Sequence, residues 1–264
     1  MNPRLSLAIV AALLVAGALY LLVPQPATIT PEPPPTSPSP PEPPAEPTDS
    51  DAFFILAVSW QPAFCETAPD KPECRSQTAE RFDASHFTLH GLWPEDEYCN
   101  VSARDEATDR DGRWSALPQL DLSPTLRRDL DKKMPGALSQ LDRHEWVKHG
   151  TCFPGDAEAY FSASLALLDQ LNASPVRDLF AGSTGKRLTQ RQIRAAFDTS
   201  FGRNTGSRVR LACEDDGDRT LVTELTLGLW GSIGDTPDLA GLLAAARPTS
   251  GDCEGGIVDR VGLQ

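Results

Sequence analysis

The sequence predicts an α+β domain, on three observations. β-rich apolar runs stand near the start and near the end of the part of the chain able to fold. The segments between them carry helix start and stop signals. Six cysteines are spread through the same part. No internal repeat is visible.

The foldable part begins near residue 51. Leu5 to Val23 are almost uninterruptedly apolar, with Arg4 just before them. A positive residue followed by an apolar run is an export pattern, and the run is about long enough to span a bilayer. Ala16-Gly17-Ala18 offers small residues for cleavage, yet the apolar run continues through Leu19 to Val23. Residues 1–23 are therefore expected to be a signal peptide or, slightly favoured, a retained anchor with Arg4 on the cytoplasmic side. Residues 24–50 are rich in Pro, Glu, Ser and Thr and hold half of the 24 prolines. Such a stretch buries no core and is expected to act as a disordered, semi-rigid linker. Residues 51–264 then form one domain, exported to the periplasm or the extracellular space and possibly tethered by the N-terminal segment.

Within that domain Phe53–Trp60 reads as a central strand and His86–Trp93 as a second, stopped by Pro94. Ser123-Pro124 opens a helix that ends before Pro135-Gly136. Leu141–His149 is helical up to Gly150. Asp156 caps a helix running to Leu171, ahead of Asn172 and Pro175. Thr189-Gln190-Arg191-Gln192 is a capping box for a helix to about Phe201. Arg208–Glu214 and Leu221–Trp230 close the domain as strands.

Charge and cysteines narrow the function. The formal net charge is −13. Most of it falls after residue 50, because the first fifty residues hold only Arg4 against Glu32, Glu42, Glu46 and Asp49. Coating duplex DNA requires a basic face, so that class is disfavoured. An enzyme that holds one phosphate locally remains allowed. Cys65, Cys74, Cys99, Cys152, Cys213 and Cys253 are even in number and include no CxxC, which in an oxidising compartment reads as three disulfides. The count alone leaves fifteen pairings open.

The four histidines, His86, His90, His144 and His149, fall in two short segments. Histidine is the side chain best suited to proton transfer near neutral pH. On a helix through Asp142–His149, with His144 at zero, Lys148 falls at about 40°, Glu145 at about 100° and His149 at about 140°. Trp146 and Val147 lie opposite, at about 200° and about 300°, and are expected to dock on the core. His-Glu-x-x-His is a zinc signature, but here the histidines are five apart, about 140° around the helix rather than about 40°. Two histidines, a lysine and a carboxylate suit phosphoryl transfer within RNA: one group removes the 2′-hydroxyl proton, another protonates the leaving 5′-oxygen, and cations stabilise the growing charge.

Phe87-Thr88-Leu89-His90-Gly91-Leu92-Trp93-Pro94 and His144-Glu145-Trp146-Val147-Lys148-His149-Gly150-Thr151-Cys152 resemble the two active-site segments of the ribonuclease T2 family. They stand in the family's order, roughly fifty residues apart. Ala57-Val58-Ser59-Trp60-Gln61-Pro62 with Cys65, the Tyr160-Phe161 helix and the late Cys213 and Cys253 fit as well. The resemblance covers about Phe53 to the C-terminus. It implies an antiparallel sheet with flanking helices. It implies that His149 and His90 are base and acid, that Glu145 and Lys148 polarise the phosphate, and that His144 binds it. It implies a 2′,3′-cyclic phosphate product that is hydrolysed to a 3′-phosphate, with no cofactor and no metal. It implies the pairs Cys99–Cys152 and Cys213–Cys253, leaving Cys65 for Cys74. His86 matches no catalytic position and is expected on a strand face. Trp93 is a candidate for stacking on a base or for a core position. Glu95, where some relatives have aspartate, is a candidate base reader. Single-stranded RNA is the expected substrate, DNA is not, and the catalytic domain is expected to be monomeric. The rival classes are an exported zinc hydrolase, which a chelator would inactivate, and a non-catalytic exported RNA-binding module, which would have lost part of this residue set.

Overall fold

Strand β1 (Ala52–Ser59, AFFILAVS) is the hinge of the architecture, since its apolar side chains are buried over most of its length and it is paired on both edges. The computed structural model describes residues 52–251 and 253–264, so the expected N-terminal segment and linker lie outside the described residues. After β1 come α1 (Gln61–Thr67), α2 (Pro72–Arg75), β2 (Thr88–Pro94), α3 (Ala103–Arg110), α4 (Pro124–Lys133) and α5 (Leu141–Lys148). Next are α6 (Ala157–Asn172), α7 (Pro175–Ala181), β3 (Arg187–Thr189), α8 (Gln190–Phe201), β4 (Val209–Asp216), β5 (Arg219–Gly231), α9 (Leu239–Ala245) and β6 (Gly255–Ile257). The sheet order is β2-β1-β5-β6-β3, with β4 also on β5. The α+β architecture is as the sequence predicts. The pairings of β1, β2, β4 and β5 are antiparallel, whereas β6 runs parallel to β5, so the sheet is mixed.

The helix signals operate through their capping chemistry. Ser123 accepts from the Leu126 N–H, Asp156 from that of Ala159, and Thr189 and Gln192 form the reciprocal box. Helix α6 supplies much of the core, burying Tyr160, Phe161, Leu165, Leu167, Leu168 and Leu171. Trp60 packs between Phe87 and Phe180 at 5.6 and 5.4 Å, and its N–H donates to the Asp259 carbonyl at 2.8 Å. Two polar groups of α6 hold β2 in place. The Asn172 amide exchanges two 2.9 Å hydrogen bonds with the Phe87 backbone, and the Tyr160 hydroxyl accepts from the Leu92 N–H at 3.2 Å. His86 departs from expectation. It sits in the bend before β2, stacked on Phe82 at 4.3 Å with Nδ1 3.1 Å from the Phe82 carbonyl, because the strand begins two residues later.

Three disulfides join Cys65 to Cys74, Cys99 to Cys152 and Cys213 to Cys253. Cys99 follows β2 and Cys152 follows α5, so the second bridge ties the two histidine-bearing segments across a sequence separation of 53. The chain-entropy model assigns closure of such a loop about 4 kcal/mol. Replacing both Cys99 and Cys152 by alanine is expected to lower the melting temperature by roughly 10 °C. An unchanged melting curve would show that contacts alone hold the segments.

Candidate active site

His90 reaches the site through an irregularity in the β1–β2 ladder. Ala57 pairs with Gly91 and Val58 with Leu89, so His90 is one residue in excess on β2. A bulge of this kind bends the strand and re-aims its side chain. His90 Nε2 lies 3.6 Å from Glu145 Oε1, and its Nδ1 lies 2.5 Å from Glu224 Oε2 on β5.

Helix α5 supplies the opposing wall. Glu145 is only 1% exposed. Its Oε2 accepts from the Trp93 indole N–H at 2.8 Å. The carboxylate occupies the space a side chain at position 91 would take: a Cβ built on Gly91 would overlap Glu145 Oε2 and press on Trp93 Nε1. The helix is thus packed on more than its apolar side. Trp146 packs against Tyr160 at 6.0 Å and Val147 is buried, yet Glu145 and Asp142 are buried too. The shared ionisable face drawn from the helical wheel is a face turned into a cleft.

His144 Nδ1 lies 2.8 Å from the buried Asp109 carboxylate, and its ring stacks on Trp114 at 4.4 Å. Asp109 also accepts from the Tyr98 hydroxyl at 2.9 Å. Lys148, partly exposed, pairs with Glu97 at 3.4 Å. His149 is the C-cap of α5, with φ −114 and ψ −47, and its N–H still donates to the Glu145 carbonyl at 3.0 Å. It is 5% exposed, stacks on Trp93 at 5.4 Å and lies 6.5 Å from the His144 ring. Its Nδ1 is buried without a hydrogen-bond partner among the described residues. Trp93 therefore stands between the two outer histidines, edge-on to His90 at 5.2 Å and stacked on His149. Glu95 is exposed in the bend after β2 and joins none of these contacts among the described residues.

The surroundings push the titrating groups apart. Burial, then the positive charge of Lys148, His144 and His90, pushes His149 down to about 3. Burial also pulls on His90, but the Glu224 hydrogen bond and the charges of Glu145 and Glu224 outweigh it and raise His90 above its ordinary value. Burial pushes the Glu145 carboxyl up to about 7, opposed by His90, the Trp93 hydrogen bond and Lys148. His144 is lowered, chiefly by burial. At mildly acid pH the cleft thus presents a neutral His149, a protonated His90 and an uncharged Glu145. Environments that separate pKa values assign acid and base.

Beside His90 and Glu224 a cavity of about 330 Å³ opens, lined by Phe64, Leu89, Trp114 and Leu141 among others. All six cysteines are oxidised in pairs and are not available as thiolate ligands. Among the described residues no group of three His, Cys, Asp or Glu side chains is placed to hold a metal ion.

Sequence reasoning missed four residues whose side chains touch the catalytic candidates: Glu224, Asp109, Trp114 and Glu97. Glu224 did leave a signal, since it is the one charged residue in the stretch from Leu221 to Trp230. Asp109 lies among many charged residues of α3 and Trp114 in a short turn, where no local pattern distinguishes them.

Comparison with known proteins identifies the family. The sequence pattern described as the Ribonuclease T2 family matches residues 51–235. The chain belongs to the ribonuclease T2 family. It is 32% identical to Ribonuclease I of Escherichia coli (strain K12) over 235 residues, 79% of this chain and 86% of that one. It is 30% identical to mouse Ribonuclease T2-A over 137 residues, 48% of this chain and 45% of that one. Among solved structures, Japanese pear S3-RNase superposes with a TM-score of 0.52 at 18% identity, covering 78% of this chain and 98% of that one. RNase NT in complex with 5′-AMP gives 0.51 at 20% identity, covering 81% and 100%. These two likenesses concern the ribonuclease T2 fold.

Proposed function

We propose that this ribonuclease T2 domain is an endoribonuclease that cleaves single-stranded RNA by transphosphorylation without a metal or cofactor. The observation that carries this reading is the placement of His90 and His149 against the two sides of Trp93, at 5.2 and 5.4 Å, in surroundings that raise the first and lower the second. Neutral His149 takes the proton of the 2′-hydroxyl. The 2′-oxygen bonds to phosphorus as the bond from phosphorus to the 5′-oxygen breaks, and His90 passes its Nε2 proton to that leaving oxygen. Lys148 and His144 hold the phosphate and stabilise its growing charge, and Glu145, uncharged below about 7, donates a hydrogen bond to it. The products are a 2′,3′-cyclic phosphate end and a 5′-hydroxyl end. In a slower second step water attacks the cyclic ester with the histidines exchanging roles, leaving a 3′-phosphate. DNA has no 2′-hydroxyl and is not cut.

Trp93 holds Glu145 and His149 in register, and Glu95, exposed in the bend after β2, is the candidate base reader. The domain organisation extends the proposal: residues 1–23 direct export and either anchor the chain or are removed, residues 24–50 space the domain away, and residues 51–264 act as a monomer outside the cytoplasm. An exported zinc hydrolase and a non-catalytic RNA-binding module both lack a supporting observation of this kind.

Cleavage is expected to proceed in EDTA, with cyclic phosphate ends appearing first. Loss of cleavage on chelation would instead favour the zinc hydrolase. The pH profile follows from the two histidines. His149 must have lost its proton, which it does above about 3, and His90 must keep its own, which it does until pH passes its raised value. The rate is therefore expected to peak on the acid side of neutrality and fall as pH rises further. A rate still climbing at alkaline pH would contradict the assignment.

A further inference from the structure

We propose that Glu224 is the positioning residue of the acid His90, fixing its tautomer so that the proton given to the leaving oxygen sits on Nε2. This rests on the reading of the site given above and adds a residue outside its two sequence segments. Glu224 lies on β5 opposite Ser59 of β1, while His90 is bulged from β2 on the far edge of β1. Two strands away in the sheet, the carboxylate still reaches Nδ1 at 2.5 Å, because the bulge turns the imidazole back across β1.

The geometry determines the direction of the proton. An ionised carboxylate only accepts hydrogen bonds, so Nδ1 must carry hydrogen whether His90 is neutral or charged. The proton that comes and goes is then the one on Nε2, the nitrogen that faces Glu145 at 3.6 Å. Without Glu224 the neutral ring left after proton transfer would be free to hold its hydrogen on either nitrogen, including the tautomer that keeps it on Nε2. A carboxylate against Nδ1 also stabilises the imidazolium, keeping the acid loaded between turnovers.

Other charges face the same ring and set what the experiment must separate. Glu145, Lys148, His144 and His149 approach from α5 and its end. Glu224 approaches from β5, and Glu214 on β4 and Lys71 and Glu73 of the α2 region line the adjoining cavity. Glu145 is the second carboxylate near His90, but it contacts Nε2 at a longer distance and is itself driven towards the uncharged form by burial. Glu224 is the carboxylate at hydrogen-bond distance from Nδ1.

The test uses Glu224→Gln, which keeps an acceptor oxygen and removes the charge, and Glu224→Ala, which removes both. Nitrogen-15 NMR of the wild-type imidazoles is expected to show neutral His90 with hydrogen on Nδ1. In E224Q the His90 titration is expected to move to lower pH, and the alkaline limb of the kcat profile to move with it, while the acid limb set by His149 stays. E224A is expected to lower kcat by about 10–100-fold, the range seen when the carboxylate behind a metal-bound histidine is removed, with little change in KM. A neutral wild-type His90 with its hydrogen on Nε2, or an E224Q alkaline limb that does not move, would overturn the proposal. Because the NMR readout needs neither RNA nor turnover, it fails separately from the ribonuclease reading. It also stands on the wild-type protein if a variant does not fold. A rise in KM with kcat and both limbs unchanged would assign Glu224 to the cavity occupant instead, and would also overturn it.

Discussion

Replacing His149 by alanine is expected to lower kcat on RNA by about 10²–10⁴-fold, the range a positioned general base contributes. The ring is nearly enclosed, stacked on Trp93, and its Nδ1 is unpartnered among the described residues. Alanine would leave a cavity beside Trp93, so the melting temperature must be measured with the rate. A folded variant with low kcat, near-normal KM and no acid limb in its pH profile is the expected result. Folded H149A that cuts RNA at the wild-type rate would remove His149 from the mechanism.

Gly91→Ala should be almost as damaging, although position 91 bears no functional group. The added methyl would fall on the Glu145 carboxylate and against the Trp93 N–H. Overpacking of this kind costs about 1–3 kcal/mol if the surroundings yield. Yielding here means that Glu145 turns away from Trp93 or that β2 moves from α5. Either displaces reacting groups, and a shift of about 1 Å in such a site costs about 10²-fold. Gly234→Ala is the matched control, since nothing lies within 4 Å of its added Cβ. Equal activity in the two variants would show that the Glu145–Gly91 contact does not position the site.

Both effects depend on a feature that was only partly legible in the sequence. The residue types and spacing of His90, His144, Glu145, Lys148 and His149 were readable because they lie in two short segments. The caps at Ser123, Asp156 and Thr189 were readable because capping is decided within four residues. The depth of Glu145 was not. A helical wheel gives direction but not what lies opposite, and the opposite wall is a glycine fifty-four positions earlier in the chain. Glu224 and Asp109 were hidden for the same reason: each acts on a histidine only through tertiary packing. The parallel pairing of β6, and β3 beside it, escaped because three-residue strands are too short for any periodicity to show. His86 was misplaced by two residues, within the ordinary error of locating a strand start by pattern.

The bulge at His90 has a consequence for how this chain tolerates insertions and deletions. Without His90, Leu89 and Gly91 would sit consecutively opposite Val58 and Ala57, and the β1–β2 ladder would run without interruption. Most one-residue deletions inside a strand throw its inward side chains to the other face. At this position alone in β2, a deletion repairs the register instead. On the proposed mechanism the acid is carried by the residue the sheet does not need, so the lesion that best preserves the fold is expected to silence the enzyme, and a well-folded homologue lacking a single codon here is expected to be an inactive one.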